Sequence, residues 1–226
     1  MRVGADTGGT FTDVVAADGT AAKVPSTPED PGEAVRAGLA SAGEARPDVL
    51  AHGTTVATNA LLERRGAAVA LVTTRGFADV VEIARQDRPS LYDSRVDRPE
   101  PLVPRHRRYE VEGRLAADGT ELEPLEVESL PVLDPAVASV AICLLHADLN
   151  PAHERAVARR LGDQGHDVSC SHEVSPEFRE YERTSTTVVN AYLRPVCRSY
   201  LRGLDGAAGE VLVLTSAGGL VPAGEA

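Results

Sequence analysis

Arg2-Val3-Gly4-Ala5-Asp6-Thr7-Gly8-Gly9-Thr10-Phe11-Thr12-Asp13-Val14-Val15 is the stretch on which the reading of this chain turns. It has the pattern of a short buried strand ending in an acidic residue, a two-glycine turn flanked by hydroxyls, and a second strand leaving. Adjacent glycines cost backbone entropy, so the turn must need a positive φ or a close approach by another group. Successive amides without intervening side chains form a concavity suited to phosphate oxygens. Thr7, Thr10 and Thr12 add hydroxyl donors, and Asp6 can hold a hydrated magnesium ion. Two readings stand side by side: a nucleotide phosphate loop, and an ordinary hairpin with glycine at its tight positions. The spacing is neither that of a P-loop nor that of a Rossmann turn, and Phe11–Val15 continue as a strand where those motifs need a helix.

Working outward, Asp18-Gly19 between Thr12–Ala17 and Thr20–Val24 signals a hairpin, so three short strands open the chain. Asp30-Pro31 starts a helix whose apolar face carries Ala34, Val35, Gly38, Leu39 and Ala42. Val49–Ala51 reads as a strand, after which Thr54 or Thr55 caps a helix running to Gly66. Ala67–Thr73 is an apolar run of the kind found in buried central strands, and a short helix spans Phe77–Ala84. Three strands, helix, strand, helix, strand predict a mixed sheet covered by helices. This order differs from a doubly wound sheet and matches the ribonuclease-H-like half of the actin and sugar-kinase superfamily.

Prolines crowd the stretch between Arg85 and Pro124, together with the basic run Arg105-His106-Arg107-Arg108. That run reads as a solvated edge or a set of ion-pair partners in an acidic chain, with phosphate binding as the alternative. Asp118-Gly119 marks a second hairpin, between Tyr109–Leu115 and Glu121–Leu122. Ser139–Leu145 and Asp167–Ser171 are strands, separated by a helix over Pro151–Leu161 that Asn150 can cap. A polar run from Arg179 to Thr187 leads into a long helix through Val196. Val211–Leu214 forms a last strand, closed by Ser216-Ala217-Gly218-Gly219.

Composition narrows the function classes. The chain has 226 residues and a net charge of −11, with lysine only at Lys23. The acidic balance argues against nucleic acid or an anionic membrane surface as a partner. No run approaches the ~18 apolar residues of a membrane span, and no secretory signal is visible. Cys143, Cys170 and Cys197 are odd in number and widely spaced, which fits reduced thiols in the cytoplasm. A Ser-His-Asp set can be assembled on paper, but no nucleophile elbow supports it.

Asp6-Thr-Gly-Gly-Thr-Phe-Thr-Asp13 and His52-Gly-Thr-Thr-Val-Ala-Thr-Asn-Ala-Leu-Leu-Glu-Arg-Arg-Gly66 resemble the hydantoinase A / 5-oxoprolinase family. So do Val72-Thr-Thr-Arg-Gly-Phe77, Arg88-Pro-Ser-Leu-Tyr92 and Glu180-Tyr-Glu-Arg-Thr-Ser-Thr-Thr-Val-Val-Asn-Ala-Tyr192. The resemblance implies an α/β ribonuclease-H-like fold, the first half of a two-lobed ATPase. It implies residues 1–178 as the family's N-terminal domain and 179–226 as the start of its core region. The activity implied is ATP-dependent: phosphorylation of a lactam or carbonyl oxygen, so that a cyclic amide such as 5-oxoproline or a hydantoin is hydrolysed.

By position, the resemblance makes Asp6, Asp13 and His52 the catalytic candidates, with Asp6 also organising Mg²⁺. Thr7, Gly8, Gly9, Thr10, Phe11 and Thr12 would hold the phosphates of ATP. Thr54, Thr55, Asn59 and Arg183 would face the substrate or support those that do. For the His52 group the alternative is a helix cap with a structural histidine; for Arg183 it is capping and ion pairs with Glu180 or Glu182. The family's second glycine motif and adenosine segment do not occur before Ala226. The expectation is therefore an N-terminal piece, completed by a further hydantoinase A half and a hydantoinase B-type subunit or domain. A non-catalytic module on the same fold, an acetone or acetophenone carboxylase-type subunit, and a small-molecule kinase are the alternatives.

Overall fold

The computed structural model describes residues 1–27, 30–216 and 218–225. In chain order the first half holds β1 (Arg2–Thr7), β2 (Phe11–Ala16), β3 (Ala21–Pro25), α1 (Pro31–Ser41), β4 (Val49–Thr54), α2 (Val56–Leu62), β5 (Val69–Thr74) and α3 (Val80–Ile83). There follow β6 (Arg108–Val111), β7 (Arg114–Leu115), β8 (Glu121–Glu123), β9 (Ser139–Cys143), α4 (Ala152–Asp163), β10 (Asp167–Cys170) and α5 (Ser171–Val174). The chain finishes with α6 (Glu180–Arg202), β11 (Glu210–Leu214) and β12 (Leu220–Pro222). Two compact units result. One comprises Met1–Arg65 with Val196–Ala226, the other Gly66–Pro195. No described helix is long and apolar enough to cross a membrane.

The first unit is built on a mixed sheet in the order β12-β11-β4-β1-β2-β3. β1, β2 and β3 form an antiparallel meander, β4 runs parallel to β1, and β11 runs parallel to β4. This is the ribonuclease-H-like arrangement expected from the element order. Asp18-Gly19 makes its hairpin as predicted: Gly19 adopts φ 89°, and the Asp18 carboxylate accepts from the Thr20 amide at 2.8 Å. Alternation along the strands puts Val3, Ala5, Val14, Ala16 and Leu50 on one face, packed against Val35 and Leu39 of α1. Gly38 lets α1 approach closely, since a Cβ there would lie 2.6 Å from a Val14 methyl. The Asp30 side chain caps α1 by accepting from the Glu33 amide at 3.3 Å.

In the second unit four parallel strands run in the order β10-β9-β5-β6. Every residue of β5 and β9 is buried, as expected of a parallel sheet covered on both faces. Glu154 of α4 is fully buried and pins this unit together. Its carboxylate accepts from the amides of Leu144 (2.8 Å) and His172 (3.0 Å), the Ser171 hydroxyl (2.6 Å) and His172 Nδ1 (2.7 Å). The basic run is an ion-pair set: Arg105 pairs with Asp79, Arg107 with Asp134 at 3.0 Å, and buried Arg108 with Glu82 at 3.0 Å.

Three expectations are corrected. The Tyr109–Leu115 segment is broken at Gly113, whose φ of 109° turns the chain. Arg108–Val111 therefore joins the parallel sheet, and only Arg114–Leu115 pairs across the Asp118-Gly119 turn. The helix expected to reach Gly66 stops at Leu62, and the strand expected over Val49–Ala51 extends to Thr54. β12 was not foreseen, because three residues bearing a proline carry no periodicity. The turn leading to it uses the Thr215 amide, which donates to the Gly219 carbonyl at 2.8 Å; Ala217 of that motif lies outside the described residues.

Candidate functional site

The first unit brings most of the sequence candidates to one end of its sheet. In the parallel register Ala5 pairs with His52, Asp6 with Gly53 and Thr7 with Thr54. Ligands of open α/β sheets bind at such carboxyl ends of parallel strands. Asp6 pairs with Asp13 and Thr7 with Thr12 across the β1–β2 hairpin. The turn between them closes through the Gly8 amide, which donates to the Phe11 carbonyl at 3.0 Å. Among the described residues the Gly9 and Thr10 amides have no acceptor.

The three threonines of the loop do different jobs. Thr7 and Thr12 are buried, and Thr12 Oγ1 donates to Thr7 Oγ1 at 3.3 Å. Ser26 lies 3.1 Å from the Thr12 hydroxyl and donates to the Gly8 carbonyl at 2.8 Å, bracing the turn from β3's side. Thr10 is exposed, which leaves its hydroxyl and the loop amides facing solvent. Phe11 is also exposed, and Lys23 sits over its ring at 5.2 Å.

The two aspartates differ in the same decisive way. Asp13 is held by Lys23, whose ammonium donates to both carboxylate oxygens at 2.6 and 2.8 Å. Asp6 is exposed and, among the described residues, makes no hydrogen bond or ion pair. Its Oδ1 lies over Gly53, where a Cβ would come within 3.0 Å of it. Glycine at position 53 thus makes room for the carboxylate. Gly9 plays the same part next door: a Cβ there would lie 3.3 Å from the Asn59 amide nitrogen.

His52 is buried on the other face of the sheet. Its Nε2 makes a short hydrogen bond with the Tyr200 hydroxyl, their rings 5.6 Å apart, and Nδ1 has no partner among the described residues. Burial pulls its pKa down to about 4, only partly offset by the Ala5 backbone and the Asp6 charge. The imidazole is therefore neutral at pH 7. Burial likewise pushes the Tyr200 phenol up, against the opposing effect of the Thr7 and Thr54 hydroxyls. His52 and Tyr200 form a buried polar strip beneath the loop. Tyr200 escaped the sequence reading because it lies 148 residues from His52, on a helix face that reads as ordinary core.

Thr54 and Thr55 start α2 and tie it to β1. Thr54 Oγ1 accepts from the Val56 amide at 3.2 Å, and the Thr55 amide donates to the Thr7 carbonyl at 3.1 Å. Asn59 donates to Thr55 Oγ1 at 3.2 Å. Arg183 belongs to the second unit and is fully buried. It pairs with Asp148 at 2.8 Å and donates to the carbonyls of Glu177 (2.6 Å) and Leu144 (3.0 Å). Its partner is Asp148 rather than Glu180 or Glu182, and Glu182 pairs instead with Arg85.

Gly53, Lys23 and Ser26 were the other residues the sequence reading passed over. Gly53 sits in the quoted His-Gly-Thr-Thr run, so its signal was present. Residues 2–165 match the model of the hydantoinase/oxoprolinase N-terminal region. The chain belongs to the hydantoinase/oxoprolinase family. The caprolactamase alpha subunit of Pseudomonas jessenii is 39% identical over 250 residues, covering 98% of this chain and 36% of that protein. 5-Oxoprolinase 1 of Arabidopsis thaliana is 34% identical over 274 residues, covering 98% of this chain and 22% of the relative. Among solved structures, the ATP-dependent caprolactamase of Pseudomonas jessenii superimposes with a TM-score of 0.84 at 38% identity, covering 99% of this chain and 36% of that one. The chain thus spans about a third or less of these relatives' length.

Proposed function

We propose that this chain carries the phosphate-loop half of an ATP-dependent enzyme that hydrolyses a cyclic amide. One observation carries the reading: an exposed Asp6 carboxylate without a partner among the described residues, beside a braced Gly-Gly turn whose Gly9 and Thr10 amides likewise have none there, at the ends of parallel β1 and β4. The relatives named for ATP-dependent caprolactamase and 5-oxoprolinase activity support it. The residues fit the groups invoked. The Gly9 and Thr10 amides and the Thr10 hydroxyl suit the β- and γ-phosphates, and the carboxylate of Asp6 suits a hydrated Mg²⁺. Magnesium bound there would neutralise phosphate charge.

Asp13, neutralised by Lys23, shapes the second strand; His52, neutral and buried, positions the loop through Tyr200 and Thr7. Thr54, Thr55 and Asn59 hold α2 against the loop. The proposed complete enzyme adds a further hydantoinase A region and a B-type partner, in keeping with a relative named as an alpha subunit. The proposed boundary between residues 1–178, the family's N-terminal domain, and 179–226, the start of its core region, is a different cut from the two compact units.

Phosphorylating an amide oxygen turns a poor electrophile into one with a good leaving group. A first water adds to the activated carbon, the ring nitrogen takes a proton and leaves as the amine, and a second water attacks the carbon of the resulting acyl phosphate, breaking its C–O bond and releasing phosphate that carries the former amide oxygen. An ¹⁸O-labelled lactam incubated with ATP, Mg²⁺ and the complete assembly containing this chain tests this directly. The label should appear in inorganic phosphate. Label retained wholly in the carboxylate product would overturn the mechanism, and a lasting phosphorylated product would indicate a kinase instead.

A further inference from the structure

Three side chains of different chemistry converge in the second unit. Glu154 of α4, Cys170 at the end of β10 and His172 of α5 each offer one ligand atom, and these atoms lie within 4.8 Å of one another. Glu154 and Cys170 are buried, and the His172 side chain is only 8% exposed. The His172 ring sits between two carboxylates. Its Nδ1 lies 2.7 Å from a Glu154 oxygen. Its Nε2 is buried, has no hydrogen-bond partner among the described residues, and lies 3.7 Å from the Glu173 carboxylate.

A neutral imidazole has one N–H and one lone pair. With the proton on Nδ1, the buried Nε2 lone pair faces Glu173; with the proton on Nε2, the Nδ1 lone pair meets Glu154. Either tautomer sets one nitrogen against an anion. A cation on Nδ1 removes the conflict, because Nε2–H then points at Glu173, the outer carboxylate that metal-bound histidines commonly carry. A second proton on the ring would also do so, but it gives Cys170 no part. Burial and the charges of Glu154 and Glu173 push that thiol up to about 12, with Arg194 opposing. A divalent cation reverses this balance and turns the thiol into a thiolate ligand.

We propose that Glu154, Cys170 and His172 form a binding site for a zinc-like transition-metal ion. Thiolate, imidazole and carboxylate together suit zinc or cobalt better than magnesium or calcium. Ligand atoms around a tetrahedral zinc lie roughly 3.3–3.8 Å apart for bonds of about 2.0–2.3 Å, so the three need close in by only about 1 Å. On binding, the thiol releases its proton and the ring proton moves from Nδ1 to Nε2. The amides of Leu144 and His172 and the Ser171 hydroxyl go on donating to Glu154. All three ligands belong to the second unit, and the proposal is independent of the ATP reading.

Cobalt(II) titrated into the chelator-treated chain tests this, because a cobalt–thiolate bond gives a near-ultraviolet charge-transfer band. The band should saturate at a single ion per chain and be bleached by zinc. Cys170→Ala should remove it, although Cys143 and Cys197 remain. His172→Gln keeps an amide that can donate to Glu154, so it should fold and yet bind cobalt at least about tenfold more weakly. Zinc should raise the melting temperature of the wild type and leave that of both variants unchanged. Should Cys170→Ala fail to fold, the affinity of His172→Gln decides. A band that survives in Cys170→Ala, or unchanged cobalt affinity in folded His172→Gln, would overturn the proposal. So would the absence of a saturable band, which would leave the ring to a second proton.

Discussion

His52 should make the first unit sensitive to mild acid. Its pKa is held at about 4 against an ordinary 6.5, chiefly by burial. A histidine held low contributes stability that is fully present above pH 6.5 and is lost as pH falls toward about 4, because the unfolded chain takes up the proton first. Integrating between those values, the loss from pH 7 to about pH 4.5 is roughly 2.5 kcal/mol. His52 is fully buried, so solvent screening reduces that figure little. The control is His52→Gln, whose side-chain amide reaches toward the Tyr200 hydroxyl as Nε2 does but cannot titrate. Urea unfolding followed by circular dichroism at both pH values gives the difference of differences, in which the common carboxylates cancel. The wild type should lose about 2.5 kcal/mol more than the variant. Parallel losses, or an imidazole NMR titration with a midpoint near 6.5, would refute the burial argument.

Other substitutions separate packing from site. Gly38→Ala would gain up to about 1 kcal/mol in an exposed helix, but here the new Cβ meets a Val14 methyl at 2.6 Å. A net loss of about 1–3 kcal/mol in urea unfolding is expected. Glu154→Ala strands four donors around a buried site, so a loss of about 3–5 kcal/mol is expected, read as a lowered melting temperature. Ala84 adopts φ 49° and ψ −133°, a region that favours glycine. Ala84→Gly should therefore stabilise the chain by about 1 kcal/mol, against the usual direction for that change.

Much of the first unit could be read from local chemistry. Asp18-Gly19 declares its hairpin and Asp30-Pro31 its helix start, and in the second unit the continuous apolar run before Thr73 declares a buried parallel strand. Gly113 hid the break in the Tyr109–Leu115 segment because nothing local says which side of a glycine pairs with which sheet. The loop's glycines and hydroxyls were visible as a set, but their division of labour was not. Alternation alone cannot tell that Thr7 and Thr12 brace the turn while Thr10 faces water. Nor can it tell that Lys23 pairs with Asp13 rather than with Asp6. Such facts depend on pairing across strands and on residues as distant as Tyr200, which only the folded chain brings together.

Calorimetric titration of the chain with ATP in the presence of Mg²⁺, repeated with Asp6→Ala and Asp13→Ala, tests the central claim most directly. Asp6 is exposed and makes no ion pair among the described residues, so its replacement should leave the melting temperature unchanged while abolishing Mg²⁺-dependent binding. Asp13→Ala should retain binding. Equal binding by the wild type and Asp6→Ala would contradict the assignment of the loop as the ATP phosphate site.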